Sequence, residues 1–273
     1  MLDVQRQARV ATLTIDHPPI NLLDLDLMLA FDAAGAEVAA DPDISVVVIR
    51  SAIPGWFIAH ADVELILRLA AEPAGPVPEG LGFFHTMVDR FRTMPKLTIA
   101  VIDGVARGGG CELASSCDIR FASTAAVLGQ PEVALGILPG GSGTQRLPWL
   151  VGRARALEAA IGCDDVDGTT AERWGWVNRA LPPAELDAFV DRFVARVASY
   201  PPEAVAAAKA SIVAATPDPT VGLQVEAEHF AEVLHRPEAS RRMQAFLDGG
   251  GQTAELEGDR VALQALLDAI APD

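Results

Sequence analysis

The run Ser45–Arg50 (SVVVIR) constrains the fold more than any other stretch of this chain. Its apolar residues are consecutive, so a strand made of them must be buried on both faces rather than on one. Thr98–Ile102 is a second run of the same kind. Around these two, strand-like and helix-like patterns alternate. Val10–Ile15 reads as a strand that ends at His17-Pro18-Pro19, and Leu25–Ala40 has helical spacing and stops at Asp41-Pro42. Asp62–Ala70 reads as a helix with Asp62 as its cap, and Leu81–Thr93 as another. Asp118–Ala122 and Val127–Gly129 are short strands. Strands interleaved with helices in this way predict an α/β fold.

Two segments break the pattern. Glu72–Gly80 holds three prolines and two glycines and is expected to be a loop. After about Pro201 strand-type runs stop, and Glu203–Ala215, Val221–Leu234, Pro237–Leu247 and Asp259–Ile270 all read as helices. The expected organisation is a core over residues 1–200 and a helical C-terminal region over 201–273. That region is expected to pack on its own core or on a neighbouring subunit.

Composition narrows the function classes. The 273 residues and 50% hydrophobic content allow roughly 75% of the unfolded surface to be buried without staples. A formal net charge of -16 argues against a nucleic-acid surface, which needs clustered Lys and Arg. The three cysteines, Cys111, Cys117 and Cys163, form no C-x-x-C pair, so buried, reduced thiols are expected. The N-terminal stretch carries no apolar signal core and no run of about 18 apolar residues occurs. The cytoplasm is the expected location, with no membrane partner.

Two glycine-rich segments can carry chemistry. In Arg107-Gly108-Gly109-Gly110-Cys111-Glu112-Leu113 three glycines lie between a strand and a helix. Such a turn lets backbone N–H groups approach a ligand at a helix N-terminus, where they can hold a developing oxyanion. It serves equally well as a tight packing turn, with Glu112 favourable against the helix dipole. In Gly129-Gln130-Pro131-Glu132, followed by Gly136–Thr144, Glu132 is expected at a helix start behind a proline. Taken alone it is an ordinary solvated carboxylate. Two carboxylates on two strand-to-helix junctions, however, can divide acid and base work if their environments separate their protonation states.

Gly108–Asp118 (GGGCELASSCD) and Gly129–Leu147 (GQPEVALGILPGGSGTQRL) closely resemble the crotonase superfamily, and the enoyl-CoA hydratases within it. The similarity runs from about Val10 to Pro182 and takes in Ala171–Val177 and the alanine-rich run around Lys209. The resemblance implies a spiral of β-β-α turns with a helical C-terminal region, assembled as a homotrimer or a hexamer of two trimers. It implies that the backbone N–H groups of Ala61 and Gly109 form an oxyanion hole. It assigns the catalytic glutamates to Glu112 and Glu132, and the N–H that places a catalytic water to Gly140. The implied reaction is hydration of a 2-enoyl-CoA, with coenzyme A as part of the substrate, no separate cofactor and no metal. An enoyl-CoA isomerase, another crotonase-type acyl-CoA enzyme and a non-catalytic acyl-CoA-binding homologue are the alternatives.

The sequence departs from the family pattern at two places. His60 stands before Ala61 where glycine is usual. Its ring is expected either to turn aside or to reach the acyl pocket and alter substrate choice. Glu64 replaces a lysine common among relatives, which leaves Arg68, Arg90, Arg92, Lys96 and Arg107 as candidates for the CoA phosphates.

Overall fold

Both apolar runs are central strands in the computed structural model, which describes residues 1–77 and 79–270. The chain opens with the antiparallel pair β1 (Leu2–Gln7) and β2 (Val10–Ile15), then α1 (Leu25–Ala40). β3 (Val46–Ser51) and β4 (Gly55–Ile58) lead into α2 (Val63–Ala71) and α3 (Phe83–Thr93). β5 (Leu97–Ile102) and β6 (Gly104–Arg107) lead into α4 (Gly109–Ser116). β7 (Ile119–Ser123) and β8 (Val127–Gly129) lead into a short 3-10 turn, Glu132–Leu135, and then α5 (Gly143–Val151) and α6 (Arg153–Gly162). β9 (Val166–Asp167), α7 (Gly168–Trp174) and β10 (Arg179–Leu181) end the strand-bearing part. The rest is helical: α8 (Pro183–Ala198), α9 (Pro202–Val213), α10 (Thr220–Leu234), α11 (Pro237–Asp248), α12 (Ala254–Gly258) and α13 (Arg260–Ala269).

The strand-strand-helix unit recurs, and in each turn the two strands go to different sheets. β3, β5 and β7 lie in a large sheet of order β1-β2-β3-β5-β7-β10, parallel from β2 onward. β4, β6 and β8 lie in a small sheet, parallel to one another, with β9 antiparallel at its edge. This is the β-β-α spiral of an α/β protein.

The continuous apolar runs now have a cause. Val47 and Ile49 of β3, with Ala100 and Ile102 of β5, face the main core with Phe31, Met87, Phe91 and Leu113. Val46, Val48, Ile99 and Val101 face the other way, against Leu186, Val190 and Val194 of α8. Covered on both sides, these strands have no polar face to display.

The C-terminal helices fold back over the spiral. Ala239, Met243 and Phe246 of α11 and Leu263 and Leu267 of α13 form one apolar cluster with Val63, Leu135 and Ile137 of the core. The expected loop Glu72–Gly80 does separate α2 from α3, although its Pro78 lies outside the described residues. Among the described residues no helix is long and apolar enough to cross a membrane. All three cysteines are free and buried.

Candidate active site

The small sheet delivers the Gly108–Gly110 turn beside the segment that follows β4. Arg107 N donates to Ala59 O (3.1 Å), holding the two chain segments together at the end of the sheet. Gly108 sits at φ +45°, in the left-handed region, and a side chain there would run into the Glu132 carboxylate. Only glycine meets both demands.

Ala61 lies across from that turn. It forms a parallel bridge with Leu23, in which Leu23 N donates to His60 O and Asp62 N donates to Leu23 O. In such a bridge the N–H of the residue between, Ala61, faces away from Leu23. Ala61 N lies 3.5 Å from where a Cβ on Gly109 would stand, which brings its backbone close to the start of α4.

Glu112 is buried in the first turn of α4. Its Oε1 accepts hydrogen bonds from Gly141 N (2.7 Å) and Gly143 N (2.8 Å). Burial, and then the Glu226 carboxylate, push the Glu112 carboxyl up to about 7, against the pull of those two N–H donors and of His85. Glu132 is raised well above the usual carboxylate range, first by burial and then by Glu112. Glu132 opens a 3-10 turn rather than the helix expected from sequence, because Gly136 turns left-handed (φ 78°) and ends it after one turn. With its amide nitrogen turned toward Glu132, Gln130 donates to both carboxylate oxygens at 3.1 and 3.0 Å.

Ala61, Gly109, Glu112, Glu132 and Gly140 all line one cleft of about 430 Å³, with apolar walls from Leu25, Met28, Leu65, Phe84 and Phe230. Gly140 turns its carbonyl to His85 Nε2 (2.9 Å). His60 does not line this cleft. It borders a smaller cavity of about 40 Å³ that shares Ala61 and Glu132 with the cleft and is also lined by Phe246, Leu263 and Leu267.

The five cations considered for CoA phosphates separate clearly. Lys96 is buried and donates to the carbonyls of Asp41 (2.5 Å) and Ile44 (2.7 Å). Arg90 pairs with Asp32, Arg92 with Asp89, and Arg107 with Asp165. Arg68 is 63% exposed, and its nearest carboxylates, Asp62 and Glu64, stand at 3.5 and 3.9 Å. It lies on α2, whose Leu65, Ile66 and Leu69 line the cleft.

Three polar side chains at the site carried no assigned role in the sequence reading. Glu226 of α10 is fully buried and accepts from Ser142 N (2.7 Å), Thr144 N (3.0 Å) and the Thr144 hydroxyl. His85 Nε2 lies 3.0 Å from Glu226 Oε1. Since both neighbours of Nε2 are acceptors, that nitrogen carries a proton. Burial alone depresses His85, but the Glu226 hydrogen bond and charge outweigh it and its pKa is raised. Glu257 of α12 is likewise fully buried, with His60 Nε2 at 3.0 Å. A single glutamate on an amphipathic helix gives no signal that would distinguish either from a solvated one. Among the described residues no group of three or more His, Cys, Asp or Glu is arranged to hold a metal.

A β-β-α spiral with a cleft lined by Ala61, Gly109, Glu112 and Glu132 fits a crotonase-type enzyme. The family model for enoyl-CoA hydratase/isomerase matches residues 5–252, and the chain belongs to that family. It is 33% identical over 250 residues to a short-chain-enoyl-CoA hydratase of Clostridium acetobutylicum, covering 90% of this chain and 94% of that one. It is 34% identical over 248 residues to a crotonyl-CoA hydratase of Syntrophomonas wolfei, with the same coverage. Among solved structures, a Streptomyces avermitilis member of the family matches with a TM-score of 0.90 and 36% identity, over 100% of this chain and 98% of its own.

Proposed function

We propose that this enzyme adds water across the double bond of 2-enoyl-CoA thioesters, giving 3-hydroxyacyl-CoA. The observation that carries the proposal is the presence of both Glu112 and Glu132 in one cleft with Ala61 and Gly109. The thioester oxygen accepts hydrogen bonds from the Ala61 and Gly109 N–H groups. These bonds strengthen as charge moves onto that oxygen, so they lower the barrier rather than only tightening binding. A water held between the carboxylates, near the Gly140 N–H, attacks the β carbon.

The surroundings of the two acids support a division of labour. Glu112 has two backbone N–H donors and the nearby His85 to lower its pKa, so it takes the proton from water. Glu132 holds its proton longer and gives it to the α carbon. One proton leaves water and one reaches carbon, and exchange with solvent resets the pair. Arg68 is the proposed contact for the CoA phosphates, and no cofactor beyond the substrate's own coenzyme A enters this scheme. The trimeric or hexameric assembly and the cytoplasmic location belong to the same proposal. Exposed Trp149, Leu157 and Ile161 on α5 and α6 support an assembly face.

The test is loss of the conjugated double-bond absorbance of enoyl-CoAs of different lengths. Glu112→Gln and Glu132→Gln are each expected to lower kcat by about 10²–10⁴-fold. Full hydration by the Glu112 variant would rule out the two-glutamate mechanism, and isomerisation without hydration by the unsubstituted protein would leave a one-base isomerase as the better reading. Acyl-CoA binding without any turnover would leave a non-catalytic homologue.

A further inference from the structure

Glu257 lies about 150 residues after the nearer of two chain segments that it joins. Its Oε1 is 3.0 Å from His60 Nε2, and its Oε2 accepts from an Arg107 guanidinium nitrogen at 3.1 Å. The same Arg107 nitrogen donates to the Glu257 backbone carbonyl at 3.1 Å. His60 immediately precedes Ala61, and its Nδ1 is 2.8 Å from Ala61 O. Both ring nitrogens face acceptors, so both carry protons and His60 is an imidazolium. Arg107 stands two residues before Gly109 and turns the rest of its guanidinium to Asp165, with two bonds of 2.8 Å. One buried carboxylate therefore grips one residue from each segment that supplies an oxyanion-hole amide.

We propose that Glu257 is a positioning residue of the oxyanion hole, fixing the Ala61 and Gly109 N–H groups relative to each other through His60 and Arg107. The inference rests on the hydration reading above. The need for such a clip follows from the sequence: Gly108–Gly110 is the most permissive backbone in the site, and a preorganised hole requires its donors to be held before the substrate arrives. The effect proposed for the clip is on geometry, because its bonds end on residues that adjoin the two amides. The histidine that departs from the family pattern is one end of this clip, and the C-terminal region supplies the other.

The tail has other anchors, since Arg260 donates to Asp165 O (2.9 Å) and Val63 N donates to Gln252 (2.5 Å), whose own N–H reaches Glu257 Oε1 (3.3 Å). Glu257→Gln is therefore the informative change. It keeps the volume, but its amide end cannot accept from Arg107, and where it faces His60 the ring can meet it only by giving up its Nε2 proton. Either the Arg107 link opens or the charged His60–Glu257 link is lost.

The experiment uses the full chain and two probes. Acetoacetyl-CoA reports the hole through the near-ultraviolet absorbance of its enolate, and butyryl-CoA reports binding of an ester that brings no enolate. For Glu257→Gln the enolate signal is expected to fall and kcat on crotonyl-CoA to drop about tenfold to a hundredfold. Butyryl-CoA affinity and KM should stay within about threefold. His60→Gln should reproduce this, and the double variant should be no worse than either single, as for residues acting as a unit. If Glu257→Gln does not fold, His60→Gln reads the same link. An undiminished enolate signal with kcat within about twofold overturns the clip alone. Absence of both enolate signal and turnover in the unsubstituted protein overturns the hydration reading and the clip with it.

Discussion

Two buried histidine–glutamate pairs flank the cleft, and they differ in what their other contacts reach. In His85–Glu226 the glutamate holds Ser142 and Thr144 of the loop whose Gly141 and Gly143 N–H groups bind Glu112. Both members also act on Glu112 by charge, Glu226 raising its pKa and His85 lowering it. In His60–Glu257 the partners are a strand-end arginine and the Ala61 carbonyl. Neither member of that pair is among the groups that shift Glu112 or Glu132. The same two residue types thus tune a proton on one side and a backbone on the other. In both, the histidine comes from the spiral and the glutamate from the C-terminal helices.

The comparison can be broken most severely at Glu226. Glu226→Ala leaves the donors of Ser142 and Thr144 without a partner in the interior and takes one of two acceptors from His85 Nε2. Removing one member of a buried pair typically costs about 3–5 kcal/mol. A urea or thermal unfolding series should show a loss of that size, and a change below about 1 kcal/mol would mean that the pair is not closed in solution.

A smaller effect separates the two pairs by pH. The base must be ionised, so kcat/KM rises with pH through the Glu112 value of about 7 and falls at higher pH as Glu132 loses its proton. His85 lowers the Glu112 pKa, so His85→Gln takes away an interaction that favours ionised Glu112. The acid limb should move to higher pH, with activity lost first below neutrality. His60→Gln should lower the rate and leave that limb where it is. Limbs that move equally in both variants would erase the distinction.

The smallest effect is at Thr144, whose hydroxyl meets Glu226. Thr144→Val should cost about 1.5–3 kcal/mol of stability, the value of one hydrogen bond to a charged group. The backbone donors to Glu112 remain, so the rate should change less than about twofold. A large drop in kcat would show that the hydroxyl helps place Glu112.

The strong periodic elements were legible in the sequence. The Leu25–Ala40 helix and the Val10–Ile15 strand have the bounds that their patterns imply. β1, mostly exposed, and the short strands β4, β6, β9 and β10 were not, since two to four residues seldom carry enough pattern; β8, three residues long, was the exception. The two glycine-rich turns marked Glu112 and Glu132, because close backbone approach leaves glycine as its trace. The 3-10 form of the Glu132 turn had no such trace. Glu226 and Glu257 were invisible, as each is one acidic residue on a helix.

By itself the sequence determined the α/β alternation, the two glycine turns and the pair of acids on them, because these depend on contacts between neighbours along the chain. Only the tertiary structure decided which distant glutamates close on His85 and His60, and with them the protonation of Glu112 and the hold on the Ala61 segment. Those depend on low-dielectric burial and on bonds between residues more than a hundred positions apart, and neither leaves a periodic mark on a linear chain.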